Sequence, residues 1–454
     1  MSFSQELEIH FDSLSSSLFS CLKQNEELNL TLSAEQSDFL RFNRAKIRQN
    51  TFVEQKSLSL QFQCKGRQVA FEFVLSGQLE TDQRLGQKLI DRARLEIEVL
   101  PEDDYLVPME NRGESRSSHV GALPKVYAAM DSIVDLSRGT DFVGFYSAGP
   151  QVRANRNSKG QKHWFSNESF FIDYSLFTSN VDEEIKAVKG VYSDTAWNSE
   201  HFQNRLQLSK NQLSLSRRKS VQVKPGNYRT YLAPAATSEI CGMLSQNALS
   251  LSALKKGSCP FAKLYDGKET LSPHFSLKEN FRLGFCHRFN SLGELAPEEL
   301  HLIEAGQLKN MLVSTRAERE YGTKSNAAEA GMFGTEGLRS PEIAPGSLAE
   351  AEALQKLGTG LYLSNLHYLN WSDLASARLT GMTRYACFWV EQGEVVGPIS
   401  DMRFDDSLYQ ILGSSLENVT REQCIDPGIS TYFMRELGAK KVPGLLLSQF
   451  SLTL

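Results

Sequence analysis

No stretch of this 454-residue sequence approaches the run of about eighteen apolar residues that a membrane-crossing helix requires, so a helical membrane protein is not expected. The opening MSFSQELEIHFDSL lacks a basic start, an apolar run and trailing small residues, and does not read as a secretory signal. Cysteines are few. The seven (Cys21, Cys64, Cys241, Cys259, Cys286, Cys387 and Cys424) are odd in number, scattered and never spaced C-x-x-C, which points to buried thiols in a reduced, cytoplasmic setting. Positive charge is also short: 49 Lys and Arg against 54 Asp and Glu give a net charge of -5, which argues against direct nucleic-acid binding by the whole chain. The densest basic run, Arg217, Arg218 and Lys219, reads as a solvated helix end.

Catalytic motifs are missing too. The eight histidines (His10, His119, His163, His201, His274, His287, His301 and His367) form no H-E-x-x-H or H-x-x-x-H, so no pair of imidazoles one helical turn apart is offered to a metal. Cys286 and His287 are adjacent and could share a metal with distant residues, but neighbours on a strand face opposite ways. No phosphate loop occurs, because Gly267, Lys268, Glu269 and Thr270 lack the preceding glycine and have glutamate in place of the hydroxyl. In GFYSAG, Ser147 falls one residue late for a nucleophile elbow and reads as a turn serine. Ser252 with Lys255, and Ser216 with Lys219, fit S-x-x-K without either companion motif.

What is present is a globular chain, 41% hydrophobic and 23% charged, long enough for two or three domains. Leu7, Phe11, Leu14, Leu18 and Leu22 lay one apolar stripe along an opening helix. The segments LNLTL, DFLRFN, LSLQFQ and QVAFEFV have strand character, the last two joined by a hairpin across Cys64, Lys65 and Gly66. Leu85, Leu89, Ile90, Ala93 and Ile97 mark a second helix, ending before the connector PEDDYLVPME. A first α+β domain over 1–110 follows. A middle domain over 111–224 holds the glycine-punctuated GFYSAGPQVRANRNSKG, the strand ESFFIDYSLFTS and a helix from about Ser199 to Ser214.

The turn at Pro225 and Gly226 opens a strand-rich C-terminal domain, 225–454. Its strand YRTYLAP leads into a helix with Ile240, Met243, Leu244, Ala248 and Leu251 on one face. HLIEAGQLKNMLVS and ACFWVEQGEVVGPIS read as hairpins turned at Gly306 and Gly393, and Gly381 as a further turn glycine. The small-residue stretch Gly331 to Gly346 reads as a mobile loop. The expected class is α+β: an N-terminal helix with antiparallel sheet, then a strand-rich domain.

In order along the chain, NRAKIRQNTFVEQKSLSLQFQCKGRQVAF, QRLGQKLIDRARLEIEVLPEDDY, PGNYRTYLAP, HLIEAGQLKNMLVSTRAEREYG, LTGMTRYACFWVEQGEVVGPISDMRFDDS and VPGLLLSQFSLT resemble the TldD/TldE (PmbA) family of two-part cytosolic metalloproteases. In active TldD-type subunits a YLAP-like strand precedes a helix bearing H-E-x-x-x-H, with a cysteine ligand near the C-terminus. The corresponding positions here run from Gly242 to Asn247, with Gly242, Met243 and Asn247 in place of the two histidines and the glutamate; Cys424 lies roughly where the cysteine would fall.

The resemblance therefore implies a TldE-like subunit with no catalytic residues, metal or cofactor of its own. Zinc is expected in a TldD-type partner, and the substrate is expected to be an unfolded or precursor peptide. Older names in the family call its members modulators of DNA gyrase. A homodimer of the isolated chain, a stand-alone peptide- or protein-binding module, and a peptidase with a relocated site are alternatives. His367, Tyr368, Asn370, Trp371 and Arg384, with Asp373 and Arg378, are the candidate channel-facing or partner-facing surface. Otherwise Tyr368 and Trp371 are core aromatics and Arg384 pairs with Asp401 or Asp405.

Overall fold

The computed structural model describes residues 1–331 and 334–453. The opening stripe forms α1 (Phe3–Ser20), begun by a capping box between Ser2 and Gln5, with Leu7, Phe11, Leu14 and Leu18 buried. LNLTL and DFLRFN merge into one long strand, β1 (Glu27–Asn43), which pairs with β2 (Lys46–Cys64). The turn to β3 (Arg67–Val74) has Lys65 at φ 53° and Gly66 at φ 70°, the two left-handed positions a tight hairpin needs.

The second helix, α2 (Leu79–Glu96), is rotated from the expected face. Leu85 is exposed, and Asp82, Gly86, Ile90 and Ala93 are buried instead. A Cβ on Gly86 would lie 2.7 Å from Leu18 Cδ2, so glycine sets the close approach of α2 to α1. Asp82 is held inside by accepting from the Ser76 amide and hydroxyl, each at 2.8 Å, and by His10 Nε2 at 2.9 Å.

The chain continues through β4 (Glu114–His119), α3 (Val126–Ser137), β5 (Asp141–Asn157), β6 (Lys162–Ser179), β7 (Ile185–Asp194) and α4 (Ser199–Leu215). The glycine-punctuated stretch is therefore mostly the long strand β5, and Ser147 is a fully buried mid-strand residue rather than a turn serine. The sheet order is β3-β2-β1-β5-β6, with β4 and β7 both bonded to β6. Strands from 1–110 and from 111–224 thus share one sheet, antiparallel except for β4 against β6.

All strands of the second sheet follow residue 225: β8 (Gly226–Leu232), β9 (Leu277–Asn280), β10 (Glu299–Glu304), β11 (Gln307–Leu308), β12 (Pro341–Ile343), β13 (Gly360–Leu363), β14 (Asn365–Asp373), β15 (Arg378–Arg384), β16 (Phe388–Glu391), β17 (Glu394–Pro398), β18 (Arg403–Ser407), β19 (Leu416–Pro427) and β20 (Ala439–Leu452). Both expected hairpins form, with left-handed Ala305–Gly306 and Gln392–Gly393 turns. Gly381 lies within β15, not in a turn, where a Cβ would meet the Phe404 ring at 2.7 Å.

The helix after β8 is α5 (Pro234–Met243), which packs Ile240 and Met243 into the main core with Phe275, Phe404 and Leu445. It does not continue to Leu251. A π-type turn over Leu244–Ala248 is interrupted at Gln246 (φ -92°, ψ 82°) and Asn247 (φ 71°, ψ -12°), a left-handed position asparagine tolerates.

Within Gly331 to Gly346, Met332 and Phe333 lie outside the described residues. The rest is built into the fold, since β12 joins the sheet and buried Glu336 accepts from the Ser252 and Ser314 hydroxyls at 2.8 and 2.7 Å. Ser252 is thereby a structural donor. Among the described residues no helix is long and apolar enough to cross a membrane.

Candidate functional site

A cleft of about 590 Å³ opens between the first sheet and the C-terminal half. One wall is Arg153 on β5 with Lys189 and Val191 on β7. The other is Glu239 and Gly242 on α5, Ser245, and the Cys286–His287 and Arg339 segments. The chain between β19 and β20 closes it, with both shoulders of that loop, Gly428 to Ser430 and Glu436 to Gly438, in the lining. At the loop tip Tyr432 and Phe433 are 94% and 88% exposed. A smaller cavity of about 170 Å³ shares Lys189, Val191, Ala235, Asn365 and Asp426, and is where Cys424 lies.

The loop is fixed by Arg435, which is buried among first-sheet residues. It donates to the carbonyls of Gly149 and Ser169, each at 3.0 Å, and to the hydroxyls of Ser169 and Ser37 at 3.1 and 3.4 Å. Ser37 in turn donates to buried Glu35 at 2.9 Å, which relays the guanidinium charge to a carboxylate. Gln151 Nε2 donates to the Arg435 carbonyl at 2.7 Å. Burial pushes the Arg435 guanidinium down to about 10, so it stays charged at neutral pH.

Of the positions aligned with a zinc motif, Gly242 lines this cleft, as does Ser245 within the same segment. On an α-helix, side chains five residues apart point about 140° away from each other, so that ligand spacing calls for a π-type turn. The segment after α5 has such a turn, but not the ligands. Gly242 has no side chain, Met243 is 3% exposed in the core, and Asn247 occupies the kink. Among the described residues no group of three or more His, Cys, Asp or Glu side chains could hold a metal ion. Zinc, which takes three or four nitrogen, sulfur or oxygen ligands at one point, does not fit this donor set.

Cys286 and His287 occupy a bend rather than a strand, so their side chains do not diverge as expected: Cys286 Sγ lies 3.8 Å from His287 Nδ1. Their electrostatics oppose a reactive pair. Burial pushes the Cys286 thiol up to about 11, while burial and the cations Arg153 and Arg339 hold His287 well below its ordinary value. A thiolate–imidazolium nucleophile needs the reverse of both shifts. On the same wall, Glu239 is open to water yet surrounded by protein, and this burial raises its carboxyl pKa. Lys440 and Asp426 approach to 3.4 Å beside it.

The group anticipated at 367–384 lies on the β14–β15 hairpin, which packs against α5, with Asn365 reaching the cleft lining. Tyr368 is no core aromatic. It is 76% exposed at a bulge, with φ 53°, and its ring is 4.1 Å from that of His367. Asn370 is exposed, whereas Trp371 packs against the core. Asp405 pairs with Arg378 (Nε to Oδ1 2.6 Å); Arg384 forms a salt bridge with neither Asp405 nor Asp401, though its charge favours ionised Asp401, and it lies over the Tyr385 ring at 5.6 Å. Asp373 caps its own turn through Ser376.

Arg153, Arg339 and Arg435 escaped the sequence reading because each is an isolated charge with no local pattern. Glu239 was within reach, three residues before Gly242 on the same helical face.

Residues 225–453 match the PmbA/TldA metallopeptidase C-terminal domain. Similar solved structures include a protein from Thermotoga maritima assigned as a DNA gyrase modulator (TM-score 0.79, 15% identity, 98% of this chain and 100% of that one) and TldE from Thermococcus kodakarensis (0.78, 15%, 98% and 100%). Another, from Bacteroides thetaiotaomicron and also assigned as a DNA gyrase modulator, has a TM-score of 0.76 at 14% identity and full coverage of both chains, 100% each. No curated protein sequence matches significantly. With the profile covering half of the chain and the fold shared throughout, this protein belongs to the TldD/TldE (PmbA) family of metallopeptidase-related proteins.

Proposed function

We propose that this chain is a non-catalytic, TldE-like subunit that binds unfolded or precursor peptides in its cleft and works beside a zinc-bearing TldD-type partner. The observation that carries this reading is the segment 242–247: the backbone retains a π-type turn at the cleft, while Gly242, Met243 and Asn247 supply no zinc ligand. A free strand edge supports a peptide occupant. β7 bonds only to β6 among the described strands, and its Lys189 and Val191 line the cleft. An extended peptide can add there through main-chain hydrogen bonds, with little demand on its sequence.

The neutral Cys286–His287 pair argues against a relocated nucleophile. The test is co-expression with an H-E-x-x-x-H subunit, followed by co-purification and assay on an unfolded substrate. A stable pair whose peptide turnover exceeds that of the zinc subunit alone is expected. Peptide binding with no partner association would make the chain a stand-alone binding module and overturn the proposal.

A further inference from the structure

The charges around the cleft fall into two groups. Glu239 feels Lys440, Asp426 and Lys189, a mixed set with close internal pairing. Arg153 feels Glu329, Cys286 and Glu72, together with the cation Arg339, instead. Arg153 rises from β5 opposite Ser33 of β1 and Phe165 of β6. Its Nη1 donates to the Ser33 hydroxyl, the one side-chain hydrogen bond Arg153 makes among the described residues, and the residue lines the cleft.

Glu329, on the facing wall, is already engaged by the Ser291 amide and hydroxyl at 2.8 and 2.7 Å. Arg339 spends its Nη groups on main-chain carbonyls, including Phe289 and Ala327 at 3.0 Å each, so its charge adds to the field while its donors are used. Two guanidinium groups therefore face two carboxylates that are already engaged, Glu329 by Ser291 and Glu72 by the Ser57 hydroxyl. Among the described residues His287, electrically neutral, is the one aromatic ring in the cleft's lining, and behind it the Phe289 and Phe165 rings stand 4.9 and 6.1 Å from its centroid. Against a wall partly shielded from water a charge-assisted pair is stronger than in bulk solvent, and the planar guanidinium fork matches a carboxylate.

We propose that the Arg153 end of the cleft is a carboxylate-binding subsite, taking either the C-terminal carboxylate or an acidic side chain of a bound peptide. Arg153 supplies the fork and Arg339 the supporting charge, while Glu329 opposes entry enough to keep an unpaired anion from being held tightly. This inference rests on the peptide-binding reading above.

The experiment is calorimetric titration of the full chain with an acetylated, extended peptide free of acidic residues, as the free acid and as the C-terminal amide, and with an amide bearing one internal glutamate. The free acid, the glutamate peptide or both should bind about tenfold or more tightly than the neutral amide, and which one does so identifies the source of the carboxylate. Arg153→Gln should erase that preference and leave the neutral amide's affinity unchanged; Arg153→Lys, which keeps the charge but not the fork, should keep part of it. If Arg153→Gln does not fold, judged by circular dichroism, the wild-type comparison and Arg153→Lys decide the matter. Equal binding of all three peptides, unaltered by the substitutions, would overturn the subsite and leave the peptide cleft standing. Binding of none of them, alone or with the zinc-bearing partner, would overturn both.

Discussion

Replacing Arg435 with alanine is expected to unfasten the cleft's closing loop while leaving the rest of the molecule folded. The guanidinium makes four hydrogen bonds to the first sheet, two to carbonyls and two to hydroxyls. Hydrogen bonds from a charged donor contribute about 1.5–3 kcal/mol each, but they share one side chain and do not add. The truncation also strands the Gly149 and Ser169 carbonyls and removes the cation that faces buried Glu35. Breaking a buried charged network by deleting one member costs about 3–5 kcal/mol.

That energy falls on residues 428–438, whose other first-sheet tie is the bond from Gln151 to the Arg435 carbonyl. Hydrogen exchange of the segment from Pro427 to Ala439 should therefore speed up by about a hundredfold or more, with β1, β5 and β6 unchanged. Arg435→Lys should do little better, because one ammonium cannot reach the same acceptors in a fork. Unaltered protection of 428–438 in Arg435→Ala would refute the idea that this buried cation fixes the cleft wall.

Gly149→Ala should lower stability by about 2–3 kcal/mol, seen as a reduced denaturation midpoint, because φ there is 147° and a Cβ would stand 2.0 Å from the Gln36 carbonyl oxygen. His163, 1% exposed, has its pKa pushed down to about 4 by burial. The unfolded chain therefore binds this proton more readily than the native state, so stability should fall as pH drops from about 6.5 to about 4, by up to roughly 3 kcal/mol, and His163→Asn should flatten that slope in denaturant titrations. Cys286, with its thiol near 11, should resist alkylation at pH 8, where about one part in a thousand is thiolate; mass mapping should find label at the half-buried Cys21, Cys64 and Cys424 first, and rapid labelling of Cys286 would reopen a nucleophilic role.

Much of the fold was legible where side-chain period alone decides the element. The stripe from Leu7 to Leu18 forms its helix, and both left-handed hairpin turns follow their glycines. The failures share a cause: tertiary partners far away in sequence. β1 runs unbroken through Glu35 and Ser37, polar residues that read as a strand gap, because they meet Arg435, which lies 398 residues beyond Ser37. α2 turns Leu85 outward because Gly86 and Asp82 fit the interior better against Leu18 and His10. The segment after α5 keeps an apolar rhythm through Ala248 and Leu251, which hides the kink at Gln246 and Asn247. Of the site, the segment 242–247 was found through family resemblance, whereas the basic end at Arg153 exists only once β5 is laid beside the Cys286–Arg339 wall.

The most direct test of the account is the metal content of the purified full chain, expressed in zinc-supplemented medium and dialysed, alongside its peptidase activity on an unfolded substrate. The donor set at Gly242, Met243 and Asn247 predicts no stoichiometric zinc and no turnover in the isolated chain. One tightly held zinc per chain, with peptide cleavage that a chelator abolishes, would contradict it.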